Sequence, residues 1–382
     1  MSKKEAIPLS VPSISGNAWK YVKECLDTGW VSSAGGYVHT FEMKFCGFTG
    51  ARYAVAVMNG TSGLQVSLRL AGVGPGDEVL VPALTFIAPV NAVRYLGAEP
   101  VFMDCDAFMN LDPVKMGEFL RTACRKTSRG AVNRKTGRPV RAVVPVHVFG
   151  APCDMAAIMA LAREYGLKVI EGATESLGSY YTAGAYKGRH TGTIGDFGVF
   201  SFNGNKIMTT GNGGMVVMPS KASSERARYL TTQAKDDAVR YVHDEVGYNF
   251  RLTNLQAALG VSQLEKLRGF IKTKKRNYAL YRRALAGVKG LSLLGAPAGT
   301  DPNFWFYSLV VDKKEFGADR DALMAALARA GIQTRPVWKL NHLQKPYRDS
   351  QAFKIERAYC FAESVLNVPC STGLTRAQVE RV

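Results

Sequence analysis

The stretch FSFNGNKIMTTGNGGMVV, Phe200 to Val217, sets one lysine, Lys206, among small, polar and glycine residues between two apolar, strand-like runs. An amine held among apolar and small groups loses its proton more readily than one in water, because burial penalises the charged form. A neutral amine of this kind attacks an aldehyde to form a Schiff base. The bland alternative is a surface lysine with no chemical task. Three further features bear on the choice. NGTSG, Asn59 to Gly63, follows the strand-like YAVAV and opens a helix. Its small residues allow close backbone approach, Thr61 and Ser62 carry hydroxyls, and the first N–H groups of a helix attract anions. The same residues also make an N-cap and nothing more. TFIAP puts Phe86 just after the next strand, as a core residue or as a face on which a flat ring stacks. Ser201 closes the strand that leads to Lys206. A phosphate cradle, a stacking ring and an amine, each in a turn that follows a strand, together point to pyridoxal 5'-phosphate (PLP).

For these turns to meet, the strands before them must lie side by side and run the same way. Between Ala51 and Val217, β-branched segments alternate with amphipathic ones, the pattern of βαβ units and a largely parallel sheet. EPVFMDCD, RAVVPVHVFG, GLKVIEGA, GVFSFN and GGMVVM read as short buried strands. In open α/β sheets ligands sit at the carboxyl ends of the strands, where all of these turns fall. After Arg251 the texture changes to two long helices, LTNLQAALGVSQLEKLRGF and KRNYALYRRALAGV, an extended NFWFYSLVVD and a helix in DRDALMAALARAGI. The expected architecture is α/β, with a large cofactor-binding domain over residues 1–250 and a smaller α+β domain over residues 251–382. There is no internal repeat or low-complexity segment.

A chain of 382 residues, 47% of them hydrophobic, fits two such domains. The charged Met1–Glu5 start and the proline-broken AIPLSVPSI that follows do not resemble a signal peptide. No apolar run approaches the roughly 18 residues of a membrane span, so a cytoplasmic protein is expected. The seven cysteines are scattered and never in CxxC spacing, which favours reduced thiols over a disulfide framework or a structural zinc site; no metal is expected. The formal charge of +18 gathers in a loop-like stretch from Arg125 to Arg141 and a helical one from Lys266 to Arg283 that includes Lys272, Lys274 and Lys275. The helical bases interleave with Leu264, Leu267, Phe270, Ile271, Tyr278 and Tyr281 at amphipathic spacing, so they read as a solvated face. Attraction of a phosphorylated small molecule is the second reading. No short nucleic-acid signature is present.

Larger blocks carry a resemblance. From IPLSVPSISGNAWKYVKECLDTGWVSSAGGYVHTFE through YAVAVMNGTSGLQVSL, PGDEVLVPALTFIAPVNAV, VPVHVFG, GTIGDFGVFSFNGNKIMTTGNGGMVV and GYNFRLTNLQAALG to TRPVWKLNHLQ, the chain resembles the DegT/DnrJ/EryC1/StrS family of PLP-dependent sugar aminotransferases, which adopt the type I aminotransferase fold. Within it the chain is most similar to the branch that aminates UDP-linked 4-keto-6-deoxy-N-acetylglucosamine-type sugars, as in legionaminic acid or bacillosamine synthesis. The resemblance implies that Lys206 forms the Schiff base and shuttles a proton, that Thr61, Ser62 and Ser201 hold the phosphate, and that Phe86 stacks on the ring. It implies that Asn249, in GYNFR, reaches the phosphate from the neighbouring subunit of a homodimer. The partners implied are L-glutamate and a nucleotide-linked sugar, with UDP favoured, in surface polysaccharide synthesis. Substrate contacts are expected around Trp30, Tyr37, His190, Arg335 and His342.

One position departs from the pattern. The family usually reads EDA after the strand KVI, and that aspartate pairs with the protonated ring nitrogen; this chain reads IEGATES, with Gly172 in its place. The loss removes a charge that keeps the ring an electron sink. Glu171 is adjacent but, on a strand, faces the other way. Glu175 matches the family's other polar position near the cofactor. An impaired enzyme and a site rebuilt around water or Glu175 both fit. Two other readings of the chain are a PLP-dependent sugar dehydratase, a chemistry the resemblance links to loss of the lysine, and a non-catalytic protein on the same fold.

Overall fold

Seven segments rich in valine, isoleucine and phenylalanine form the body of a ten-stranded main sheet: β1 Tyr53–Val57, β2 Glu78–Pro82, β3 Glu99–Met103, β4 Pro139–Val143, β5 Lys168–Gly172, β6 Phe197–Ser201 and β7 Gly214–Met218. In this computed structural model, which describes residues 6–237 and 239–382, they lie in the order β1-β7-β6-β5-β4-β2-β3. The Met1–Glu5 segment falls outside the described residues. Only β7 runs against its neighbours, β1 and β6; the remaining pairings among the seven are parallel. Strands such as β2 and β7 are buried along their whole length, as helices on both faces of a parallel sheet require. The carboxyl ends of β1, β2, β4, β5 and β6 therefore open on one side, and the turns singled out in the sequence share it.

Two elements differ from the sequence-based expectation. The basic Arg125–Arg141 stretch is an antiparallel hairpin, Cys124–Thr127 against Gly130–Asn133, whose second strand pairs with β4. Ala131 and Asn133 of the second strand turn inward with a two-residue alternation, while Arg125 and Lys126 of the first both face solvent. The two helices after Arg251 are one, Asn254–Ala284, started by a Thr253–Gln256 capping box. Gly260 does not break it. A Cβ there would stand 2.8 Å from the Phe41 ring, so this glycine lets the helix approach the N-terminal helix Gly36–Thr49.

That helix joins two cores. Ala257, Val261, Leu264 and Leu267 pack with the main sheet, whereas Tyr278 and Tyr281 pack with Tyr307, Leu309, Ile332 and Val368 around a four-stranded antiparallel sheet formed by Leu291–Leu293, Tyr307–Val311, Val365–Val368 and Arg335–Pro336. Ile7 crosses into this second core and bridges to Ile332. The helix's basic residues are exposed or half-buried, as an amphipathic face should be, with one exception: Lys274 is 2% exposed. Among the described residues all seven cysteines are free, no cluster of His, Cys, Asp or Glu could hold a metal, and no helix is long and apolar enough to cross a membrane.

Candidate active site

At the carboxyl ends of those strands lies a cavity of about 350 Å³. Its first wall is the start of helix Gly60–Leu70. Asn59 caps this helix by accepting from the Ser62 N–H at 2.8 Å, and also accepts from the Ser62 hydroxyl at 2.9 Å. Ser62 is thus bound into the cap, while Asn59, Gly60 and Thr61 line the cavity. A Cβ on Gly60 would come within 3.0 Å of Ser201 Cβ, so the glycine keeps the helix start and the end of β6 in close contact. The first N–H groups of this helix and the hydroxyls of Thr61 and Ser201 therefore face one volume, an arrangement suited to an anion.

Lys206 enters from the turn after β6. Its Nζ stands 3.6 Å from Glu175 Oε1 and 3.9 Å from the centre of the Trp305 ring. Glu175 Oε2 accepts from the Phe149 N–H at 2.8 Å. Burial lowers the pKa of the Lys206 amine against the pull of Glu175, and burial raises that of the Glu175 carboxyl against the pull of Lys206 and the Phe149 amide. Both shifts favour the neutral forms. The pair is poised to hold and pass a proton, and the amine is brought toward its nucleophilic state.

The base of the cavity explains the departure at Gly172. Glu171 is fully buried on the other face of β5, where its oxygens accept from Gly192, Ile194 and Gly195 N–H groups and pair with His147 Nε2 at 3.1 Å. It has no freedom to serve the cavity. A Cβ on Gly172 would meet Val146 Cγ2 at 2.9 Å, and Val146 lines the cavity. The space of an acidic side chain is thus partly taken by a valine. Among the described lining residues Glu175, beside the amine, is the sole carboxylate.

Of the residues expected from sequence, Lys206, Thr61, Ser201, Phe86 and Glu175 come together here. Asn249 does not; it lies exposed beyond β1, bridged to Thr232. Trp30 and Tyr37 share a separate cavity of about 450 Å³ with Glu24 and Asn254, and the Tyr37 hydroxyl donates to Glu24 at 2.7 Å. His190 is wholly buried against Phe48, Tyr180 and Phe200; its Nε2 accepts from the Gly178 N–H and its Nδ1 faces the Thr191 carbonyl, so neither ring nitrogen is open to a ligand. Arg335 is exposed on the second sheet, and His342 pairs with the Tyr359 hydroxyl at 2.9 Å. None of these five lines the main cavity.

Sequence reasoning missed an aromatic wall. Trp305, Phe306 and Trp338 line the side facing Phe86, with Phe149 backing Trp338 at 4.6 Å between ring centres. It also missed Thr85, whose buried hydroxyl lines the cavity with no protein partner. The runs NFWFYS and TRPVWK are visibly aromatic, but only the fold brings them beside Lys206.

Residues 12–382 match the model of the DegT/DnrJ/EryC1/StrS aminotransferase family. The chain belongs to that family. It is 36% identical to the GDP-perosamine synthase of Caulobacter vibrioides over 100% of this chain and 98% of the relative, and 37% identical to that of Vibrio cholerae over 98% and 97%. Among solved structures it resembles DesI, determined in the presence of its TDP-sugar product, with a TM-score of 0.87, 29% identity and coverage of 99% of this chain and 91% of that one. The fold is the type I aminotransferase fold, the activity that of a sugar aminotransferase, and the cofactor of this family of enzymes is PLP. The cavity fits that cofactor at two ends: an anion cradle whose glycine Gly60 is closed in by Ser201, and a partly desolvated amine. The unpartnered Thr85 hydroxyl is a further place for a polar ligand atom. At the base, where the family pattern has its aspartate, the fit is apolar.

Proposed function

We propose that the protein transfers an amino group from L-glutamate to the keto carbon of a nucleotide-linked 4-keto-6-deoxy sugar, with Lys206 as the catalytic amine. The observation that carries this reading is the placement of Lys206 Nζ 3.6 Å from Glu175 in a cavity that also holds the helix start at Asn59–Thr61. PLP supplies the aldehyde that carries the amino group and the ring that accepts electron density. The chain supplies the rest. The helix start, Thr61 and Ser201 anchor the phosphate, Phe86 offers its ring face, Lys206 moves the proton at the reacting carbon, and Glu175 takes up or returns charge as Lys206 changes state. The aromatic wall of Trp305, Phe306 and Trp338 excludes water and offers flat surfaces to a sugar.

The carrier expected from the sequence was UDP. The full-length relatives at 36 and 37% identity are both named for a GDP sugar, which favours a GDP carrier. A homodimer is part of the same proposal. Asn249 stands outside its own chain's cavity, in a segment that also exposes Val239, Tyr241 and Val246, an apolar surface suited to a second copy. The test is a panel of GDP-, UDP- and dTDP-linked 4-keto sugars offered with L-glutamate, with the product detected by mass. GDP-linked amino sugar formation that disappears in Lys206→Ala is the expected outcome; turnover of UDP sugars alone would reverse the carrier, and turnover by Lys206→Ala would overturn the role of the amine.

A further inference from the structure

Lys274 is the one base of its helix that points inward, and it is among the largest fully buried side chains of the protein. Its Nζ donates to the carbonyls of Trp305 at 2.7 Å and Cys370 at 2.6 Å. Among the described residues no carboxylate pairs with it. A buried ammonium without a counter-charge is costly, and a methionine of similar length would fill the space without that cost. The two hydrogen bonds must therefore account for a lysine at this position.

What they hold is one side of the active site. Trp305 is fixed at three points: its N–H donates to Asn303 Oδ1 at 2.9 Å, its carbonyl accepts from Lys274, and its indole Nε1–H donates to the carbonyl of Asn205 at 2.8 Å. Asn205 directly precedes Lys206, and the face of the same indole stands 3.9 Å from Lys206 Nζ. Two residues beyond Trp305, the Tyr307 hydroxyl donates to the carbonyl of Lys274 itself at 2.9 Å. The helix thus clamps this segment through both the side chain and the backbone of a single residue. We infer that Lys274 is a positioning residue for the reaction: by fixing the Trp305 backbone it seats the indole that orients the Lys206 amine.

This inference rests on Lys206 being the reacting amine, and one experiment separates the two. PLP is added to the full-length, cofactor-free chain at neutral pH, borohydride traps it, and the modified peptide and its rate of formation are read by mass spectrometry. In the unaltered protein the peptide containing Lys206 must be the one trapped; another peptide would overturn the proposed function itself. Given that control, Lys274→Met, shown to be folded by circular dichroism, is expected to slow trapping at Lys206 about tenfold, because small misplacements of a reacting group are costly. Trp305→Ala should slow it to a similar degree. The double variant should resemble either single one, since Lys274 acts only through Trp305. Lys274→Arg, which keeps the donors, should restore most of the rate. Unchanged trapping in folded Lys274→Met, or effects that multiply in the double variant, would overturn the inference. Should Lys274→Met not fold, Lys274→Leu, which likewise removes the donors, takes its place under the same criteria.

Discussion

Restoring an acid at Gly172 tests how the apolar base of the cavity affects catalysis, and the structure shows that the single substitution is a compromised test. A Cβ at residue 172 would lie 2.9 Å from Val146 Cγ2 and 3.4 Å from the Pro145 carbonyl oxygen. The first distance is too short for a packed core. Val146 is β-branched and 2% exposed, so Gly172→Asp alone overpacks the site at about 1–3 kcal/mol, seen as a fall of a few degrees in Tm. Val146→Ala removes the clashing methyl. In the double variant the carboxylate can face the ring nitrogen of bound PLP, and an opposite charge nearby favours its protonated form. Each 1.4 kcal/mol of added transition-state stabilisation raises the rate about tenfold. Gly172→Asp/Val146→Ala is therefore expected to raise kcat about tenfold or more over Val146→Ala, with little change in KM for the sugar, and Gly172→Asp alone to give less rate and a lower Tm. The assay is steady-state transamination with L-glutamate beside thermal melts of the PLP-loaded proteins. An unchanged or lower kcat in a well-folded, PLP-loaded double variant would refute the reasoning: another group, with Glu175 the first suspect, would then already do the aspartate's work.

Three other outcomes follow from the geometry. Mixing Lys206→Ala with Asn249→Ala should regenerate activity in hybrid dimers, where one of the two sites is wholly native; no recovery after demonstrated subunit exchange would place the whole site in one chain. Glu175→Gln removes the charge that favours the Lys206 ammonium, so borohydride trapping of PLP at Lys206 should begin at lower pH than in the unaltered protein, and a shift toward higher pH would contradict the pairing. Burial pulls the pKa of His190 from 6.5 down to about 4, so the unfolded chain takes up a proton over that interval while the folded chain does not. Stability should fall as pH drops from 6.5 to 4 by up to about 3 kcal/mol on this account. Chemical denaturation at several pH values should show a shallower acid limb for His190→Gln.

What could be read from sequence was whatever depends on a strand and the turn after it. Thr61, Phe86, Ser201 and Lys206 each fall within a few residues of the end of β1, β2 or β6, and a parallel sheet gathers such turns without further information. The opposed directions of Glu171 and Gly172 were equally legible, since alternation along a strand is a local rule, and Glu171 is indeed held by His147 and three backbone amides on the far face. The limit of local rules shows at Lys274 and His190. In sequence Lys274 is one of a run of bases on an amphipathic helix, and its inward turn is decided by carbonyls at Trp305 and Cys370, 31 and 96 residues away. His190 lies in a segment that matches the family, but its two nitrogens are claimed by Gly178 and Thr191 inside the core. Trp305 and Trp338 sit about 100 and 130 residues from Lys206 and line its cavity only because segments next to strands of the second sheet come to the same place. Chemistry carried by a turn can therefore be located from its strand, whereas a group such as Trp305, held by Lys274 with its ring centre 3.9 Å from the amine, is set there by packing between distant segments.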